Sequence, residues 1–458
     1  MIFTSLDFVI FFIVVLYCYW RLCRRWQNIF IVIASYFFYG YVHPAFCILL
    51  FTSTVSDYYL ALAIEYRSHQ KKLFLTCSIA VNLGILFFFK YFNFFVDNIS
   101  AVLAMLGWNI GETTLRVFLP VGISFYTFQT LSYTIDVYRQ KLQPTHSIID
   151  FALYVCFFPQ LVAGPIERAI RLLPQISKAR MINITIVRYA IVLIVWGFCK
   201  KLVIADNVAV YVNQIFLLKD PSLVMLIVGS FAFSIQILAD FSAYTDIARG
   251  CSYLLGFELM ENFKRPYVAI SPSDFWRRWH ISLSSWIRDY LYIPLGGSKI
   301  THTGKFFAVV MITMILSGLW HGAAWTYVTW GAYHGLLVFI YHQFGIKGNW
   351  QVAGVKKIVA WALMYSFTLF GWLLFRAPSI TWLTSVFVDL SWFDHTQFVA
   401  AVTIFLSVLL YTLPYACYFL LQFVKEDSLS YPLFLGIALC LIFVLGNESG
   451  QDFIYFRF

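Results

Sequence analysis

Long apolar segments separated by short polar loops recur along the whole chain. A helix that crosses a bilayer needs about 20 mostly apolar residues, so this pattern predicts transmembrane helices. We expect about eleven of the candidates to span, with the others tilted, re-entrant or interfacial, which makes the fold an all-α polytopic membrane bundle. The candidate spans are residues 6–20, 28–42, 45–65, 73–93, 119–138, 184–204, 222–239, 242–257, 305–320, 323–343, 356–375, 399–422 and 430–446.

One further apolar segment, residues 149–165, does not have the pattern of a simple span. Pro159, Gly164 and Pro165 interrupt it near its end. Non-helical backbone is tolerated at membrane depth only where protein or a cavity shields it, so we predict a re-entrant segment. No internal repeat and no matching pair of interrupted helices is visible, which disfavours an inverted-repeat transporter.

Composition agrees with a membrane chain, because 61% of the residues are hydrophobic and 12% are charged. Soluble domains carry about twice that charged fraction. The apolar segments leave no room for a separate soluble domain, so we predict one membrane domain over residues 1–458. The nine cysteines are scattered singly, without a C-x-x-C pair or a cysteine-histidine cluster, so we predict no metal site.

The net charge of +10 comes from basic residues in short loops. Arg21, Arg24 and Arg25 are separated by two candidate helices from a second basic cluster around Lys71 and Lys72. The positive-inside rule therefore predicts that both clusters face the cytoplasm and anionic lipid. We expect membrane lipid as a partner and no nucleic acid.

The densest polar region covers residues 258–299. Ser271, Pro272 and Asp274 predict a helix start. In the helix expected to follow, an aromatic and apolar stripe would lie beside a polar stripe containing His280, Ser284 and Arg288. This pattern suits an amphipathic helix at the cytoplasmic interface. It is also compatible with the mouth of a cavity, where Trp276, Arg277, Ser284 and Arg288 would contact a phosphate-bearing substrate.

A histidine lies between two apolar runs in the segment Ser317-Gly318-Leu319-Trp320-His321-Gly322-Ala323. An ionisable residue at membrane depth is costly and is a functional candidate by default, although a satisfied structural histidine is the alternative. We expect the small residues around His321 to let a substrate approach, with Ser317 and Trp320 in contact with it. On a continuous helix His334 would lie about 20 Å away, so His280 is the better candidate partner.

Polar residues also interrupt the apolar segment 233–246. Asp240 and Asp246 need partners there, and we expect Arg249 or the basic region 264–288 to supply them. Gln236 and Asp246 are candidate substrate contacts, with a purely structural network as an equal alternative.

These residues resemble the membrane-bound O-acyltransferase family, and within it the bacterial branch that O-acetylates alginate and peptidoglycan. The D-alanyl transfer protein of teichoic acid modification is a more distant resemblance. The likeness covers residues 1–345 most strongly and rests on four motifs in order, together with the aromatic segment 453–458. The motifs are Pro159-Gln160-Leu161-Val162-Ala163-Gly164-Pro165-Ile166-Glu167-Arg168, Asp240-Phe241-Ser242-Ala243-Tyr244-Thr245-Asp246, residues 274–290, and Ser317-Gly318-Leu319-Trp320-His321-Gly322.

The resemblance implies a helix bundle around a central tunnel, with His321 as the catalytic histidine and His280 as the second polar residue of the active site. It also implies Tyr455 as an acyl relay, for which an interfacial aromatic anchor is the alternative. The donor would be a cytoplasmic acyl thioester, with acetyl-CoA preferred, and no cofactor would be bound permanently.

The same resemblance places the protein in the bacterial cytoplasmic (inner) membrane. It implies an extracytoplasmic acetyltransferase partner of the SGNH type, with a cell-envelope polysaccharide such as peptidoglycan or alginate as the final acceptor. A transporter or flippase, and a scaffold that only anchors an extracellular enzyme, are the competing hypotheses.

Overall fold

Helices make up the regular structure of the chain in the computed structural model, which describes residues 1–108, 119–162, 164–346, 350–421, 430–447 and 453–454. No strand occurs within these ranges, so the all-α prediction is confirmed. Among the described residues, six helical segments are long and apolar enough to cross a membrane. They are Phe46–Tyr66, Ser68–Met105, Leu223–Leu254, Thr303–His321, Gly354–Arg376 and His395–Tyr418. The predicted number of about eleven spans and the central tunnel stay predictions.

The described residues form two compact units. The first contains Met1–Ala190 and Ala248–Met260, and the second contains Ile191–Ile247 and Glu261–Phe458. One domain over residues 1–458 stays a prediction.

The first unit is built from helices that begin at polar caps and continue through apolar runs. Ser5 and Ser147, for example, each accept a backbone N–H of the first helical turn. Its α-helices are Leu6–Tyr19, Arg24–Gly40, Phe46–Tyr66, Lys71–Leu86, Phe92–Met105, Ile123–Tyr138, Ile148–Cys156, Phe158–Leu161, Ala169–Ser177 and the beginning of Ile184–Cys199, and π-helix Phe87–Tyr91 joins two of them.

The second unit contains the remainder of Ile184–Cys199 and most of one long helix, Leu223–Leu254. This helix runs without a break through the two separate spans that the sequence predicts at 222–239 and 242–257, so that division is wrong. The other α-helices are Asp206–Ile215, Pro272–Trp276, Ile281–Ile287, Thr303–His321, Trp325–Gln343, Gly354–Arg376, Ile380–Val388, His395–Leu421 and Ser430–Leu445, with π-helices at Lys200–Ala205 and Arg288–Tyr292.

The predicted re-entrant segment is a broken pair of helices. Ile148–Cys156 ends before Phe157, whose ψ of 105° is not helical, and Phe158–Leu161 follows with Pro159 in its first turn. Every described residue from Leu153 to Val162 is buried. Its position in a bilayer stays a prediction, but protein does shield this irregular backbone, as the prediction requires.

Candidate active site

His321 is the last residue of helix Thr303–His321, and its side chain is buried, with 4% of the residue exposed. Aromatic rings lie around the imidazole, among them Trp320 at a centroid distance of 5.0 Å, Trp330 at 5.2 Å and Phe375 at 5.3 Å. All three lie nearly perpendicular to it. A polar ring in such apolar surroundings is shielded from water, which strengthens any hydrogen bond it makes to a reacting group.

Close helix packing fixes the position of His321. After it the chain reverses over residues 322–324 and enters helix Trp325–Gln343. A methyl group on Gly318 would collide with the carbonyl oxygen of Tyr327, and one on Gly331 would collide with the carbonyl oxygen of Met314. The two helices therefore approach backbone to backbone, as small residues allow in membrane proteins.

This packing corrects the expected role of the glycines. The sequence predicts that Gly318 and Gly322 leave room for a substrate. Instead the backbone of Tyr327 occupies the space beside Gly318, and the ring of Tyr327 occupies the space beside Gly322. Tyr327 belongs to helix Trp325–Gln343. The small size of Gly318 and Gly322 therefore allows this helix to pack closely against helix Thr303–His321 and the residue that follows it.

His280 adopts a left-handed backbone conformation, with φ of 41°, between helix Pro272–Trp276 and helix Ile281–Ile287. The predicted helix start is confirmed, since the Ser271 side chain accepts the N–H of Asp274. The predicted continuous helix is wrong, because the chain breaks before His280. Its side chain therefore does not share a stripe with Ser284 and Arg288.

Asn262 holds this turn in place. Its carbonyl oxygen accepts the N–H of Ile281 at 2.9 Å, and its side-chain oxygen accepts the N–H of Ser282 at 3.2 Å. His280 itself is 1% exposed. Burial lowers the pKa of His280 to about 3, so its imidazole is neutral at ordinary pH.

Trp320 connects the two candidate histidines. Its indole lies 5.8 Å from the His280 ring and 5.0 Å from the His321 ring, measured between centroids. Trp320 is 3% exposed. The structure therefore brings His280, Trp320 and His321 into one buried cluster, although they come from two separate segments of the chain.

His334 lies nearer to this cluster than the sequence suggested. The Trp330 indole contacts His321 at 5.2 Å and His334 at 4.9 Å, and Trp276 lies 5.2 Å from His334. The separation of about 20 Å expected for a continuous helix is therefore wrong, because the chain reverses at 322–324. Sequence analysis missed Trp330 and Phe375, which no polar or glycine-rich motif marks.

Two predicted substrate contacts are buried polar residues on helices. Ser317 is 4% exposed and lies one turn before His321. Gln236 is 7% exposed, and its Oε1 has no hydrogen-bond partner among the residues that the structure describes. Direct contact between either residue and a substrate stays a prediction.

Three other predicted contacts, Ser284, Arg277 and Arg288, make polar contacts with neighbours in their own segment of the chain. The Ser284 hydroxyl donates to the carbonyl of Trp279 at 2.9 Å. The Arg277 guanidinium lies 3.5 Å from Asp274, and Arg288 donates to both oxygens of Asp289. Their side chains are 48% and 59% exposed, so both cations are accessible from outside the protein.

The carboxylates of Asp240 and Asp246 are paired with lysines. Lys200 Nζ lies 2.7 Å from Asp246, and Lys201 Nζ lies 3.1 Å from Asp240 and 2.8 Å from Asp206. The sequence-based prediction named Arg249 or region 264–288 as the source of partners and missed these two lysines. Two adjacent lysines at the end of an apolar run were the signal that could have identified them.

Two residues of the aromatic segment 453–458 are described, and both are buried in the second unit. Ile454 donates its backbone N–H to Asp240 at 2.7 Å, and the Phe453 ring packs on Tyr244 at 4.0 Å. Tyr455, the predicted relay, lies outside the described residues.

Comparison with known proteins identifies the family. The model of the membrane-bound O-acyltransferase family matches residues 137–345, which include His280 and His321. The chain is 38% identical to the probable alginate O-acetylase AlgI of Pseudomonas aeruginosa over 386 residues, covering 83% of this chain and 73% of that protein.

Two other relatives carry different names. The peptidoglycan O-acetyltransferase of Helicobacter pylori is 33% identical, over 77% of this chain and 71% of its own length. The teichoic acid D-alanyltransferase of Bacillus subtilis is 30% identical, over 56% and 68% respectively. The chain belongs to the membrane-bound O-acyltransferase family. It is a multi-pass membrane protein and an O-acyltransferase.

Proposed function

We propose that this protein takes an acetyl group from acetyl-CoA on the cytoplasmic side of the bacterial inner membrane and passes it across for O-acetylation of a cell-envelope polysaccharide. The observation that carries the proposal is the buried His321 imidazole, enclosed by aromatic rings and linked through Trp320 to the neutral His280. The names of the alginate and peptidoglycan relatives support the polysaccharide acceptor.

In the proposed chemistry, His321 is the general base. Its neutral imidazole takes the proton from an attacking hydroxyl while that oxygen forms a bond to the thioester carbonyl carbon. The tetrahedral intermediate then expels the thiolate, which takes the proton back from the imidazolium. A base placed in this way contributes about 100- to 10,000-fold. His280 is a positioning residue that acts through Trp320.

The first hydroxyl to attack is proposed to be that of Tyr455. An acyl ester of a phenol is a reactive intermediate because phenolate is a good leaving group, so the acetyl group can be passed on. An extracytoplasmic acetyltransferase of the SGNH type would receive it. The exposed Arg277 and Arg288, with Trp276, Ser284, Ser317, Gln236 and Asp246, are proposed to bind the donor and line its path.

Mass analysis of envelope polysaccharides tests this function. Cells that make the protein should carry O-acetyl esters that disappear when it is replaced by its His321→Gln variant at equal membrane abundance. Unchanged acetylation in that variant would contradict the proposal. If the variant exports less polysaccharide but the acetyl ester content per sugar is normal, the protein is a transporter. If the variant still supports full acetylation and export, the protein serves only as a membrane scaffold for the extracellular enzyme.

A further inference from the structure

The backbone of segment 453–454 is held by a buried carboxylate. Asp240 Oδ2 accepts the N–H of Ile454 at 2.7 Å, and Ile454 is 5% exposed while Asp240 is 2% exposed. A hydrogen bond from a backbone amide to a carboxylate is stronger than one between neutral groups, and burial raises the cost of breaking it. Asp240 therefore fixes the position of this segment.

Aromatic contacts add to that hydrogen bond. The Phe453 ring, which is fully buried, lies 4.0 Å from the Tyr244 ring and 5.9 Å from the Phe241 ring between centroids. Asp240 and Tyr244 are four residues apart on helix Leu223–Leu254 and so occupy the same helix face. One helix face thus supplies both the hydrogen-bond acceptor and the aromatic surface.

The second oxygen of Asp240 is also occupied. Oδ1 lies 3.1 Å from Lys201 Nζ, and the same ammonium lies 2.8 Å from Asp206. All three side chains are 2–3% exposed. The Lys201 ammonium thus compensates the negative charge with which Asp240 holds the segment, and Asp206 pairs with the same ammonium.

The held segment adjoins the candidate active site through Phe241. The Phe241 ring, which contacts Phe453, also lies 4.7 Å from the His280 ring in an edge arrangement. His280 in turn contacts Trp320, which contacts His321. A chain of ring contacts therefore runs from residue 453 to the proposed catalytic base.

We infer that Asp240, held by Lys201, is a positioning residue that docks segment 453–454 against Phe241, whose ring contacts His280, and that acyl transfer requires this docking. The requirement in transfer rests on the proposed function, whereas the docking does not. Asp240, Phe241 and Tyr244 of the sequence motif at 240–246 then form the docking face for segment 453–454.

Hydrogen exchange at the Ile454 amide tests the docking in the full-length protein. In Asp240→Asn one carboxylate oxygen is replaced by an NH2 group. This NH2 group must face either the Lys201 ammonium or the Ile454 N–H, and both of these are hydrogen-bond donors. We expect peptides that contain residue 454 to exchange about tenfold faster or more, with kcat for acetyl transfer from acetyl-CoA reduced by a similar factor and KM for acetyl-CoA unchanged.

Asp206→Asn is the matched control. It makes the same change of charge on the same lysine but leaves the bond between Asp240 and Ile454 in place. A purely structural role of the charged network predicts equal effects of the two variants, whereas docking predicts that exchange at residue 454 stays slow in Asp206→Asn.

Phe453→Ala provides a second test if Asp240→Asn does not accumulate, because it leaves the charged network unaltered. It should accelerate exchange at residue 454 and lower kcat. The inference is overturned if the Ile454 amide still exchanges slowly in the tested variant. It is also overturned if that amide exchanges fast while acetyl transfer stays at the wild-type rate. Failure of the proposed function is distinguishable, since His321→Gln would then keep wild-type transfer while Asp240→Asn still released the segment.

Discussion

His280 combines three features that seldom occur together in a histidine: a left-handed backbone, nearly complete burial and an aromatic environment. A residue with a side chain rarely adopts positive φ, and such residues concentrate at functional sites. Asn262 stabilises the turn through two hydrogen bonds, so the conformation is determined by its surroundings. The result is a neutral ring that cannot easily gain a proton.

This neutrality predicts an acid sensitivity. The pKa of His280 is about 3 in the folded protein and 6.5 ordinarily, so below about pH 6.5 only the unfolded chain binds the proton. The stabilising contribution is complete above pH 6.5 and falls by about 1.4 kcal/mol for each pH unit below it. His280→Asn tolerates positive φ and does not titrate in this range.

The melting temperature of wild-type protein should therefore drop more between pH 7.5 and pH 5.5 than that of His280→Asn, measured in the same detergent. Equal drops in the two proteins would show that His280 is already protonated or exposed in the folded state.

Arg288 allows a test of donor binding at the surface. Its side chain is 59% exposed and paired with Asp289, and the hydrogen bonds with Asp289 raise its pKa. If it contacts donor phosphates, Arg288→Gln should raise KM for acetyl-CoA several-fold while kcat changes little. Arg25→Gln is a control at another exposed arginine. A change confined to membrane insertion would support a contact with lipid headgroups.

At the scale of elements, the hairpin formed by Thr303–His321 and Trp325–Gln343 positions His321. The two backbones touch at Gly318 and Gly331, where no side chain fits. Any shift of one helix along the other would displace His321 from Trp330, because each residue belongs to a different helix.

Gly318→Ala tests this packing. The added methyl group would meet the Tyr327 carbonyl, so the helices must separate at a cost of about 1–3 kcal/mol. We expect a lower melting temperature together with reduced acyl transfer. Gly436→Ala is the matched control, because nothing lies within 4 Å of its added methyl group and alanine favours a helix. Similar behaviour of the two variants would contradict backbone contact at Gly318.

At the scale of the whole molecule, the sequence predicts those features that depend on local pattern. The length of the apolar segments predicts the membrane helices, and Ser271 predicts a helix start. The segment around His321 predicts the principal candidate for the catalytic residue. Features that depend on chain reversal or tertiary packing cannot be predicted from local pattern. The approach of His321 to Trp330, and through Trp330 to His334, follows from a hairpin, and periodicity cannot show that a helix ends at His321.

Partner choice inside the protein is likewise a tertiary property. Asp240 and Asp246 had several candidate cations nearby in sequence, but Lys200 and Lys201, about 40 residues earlier, pair with them. A glycine or asparagine often indicates a left-handed backbone position, but this position holds His280. The break before it therefore cannot be predicted from helix periodicity.

The most direct test of the account compares two buried histidines in the same aromatic cluster. His321→Gln and His334→Gln each remove an imidazole that contacts Trp330 and leave a neutral amide in its place. Acetyl transfer from acetyl-CoA should be measured with both purified proteins at matched melting temperature. If His321 is the general base, its variant loses about 100- to 10,000-fold in kcat, while the His334 variant stays within about tenfold of wild type. Retention of transfer by His321→Gln, or an equal loss in both variants, would contradict the assignment.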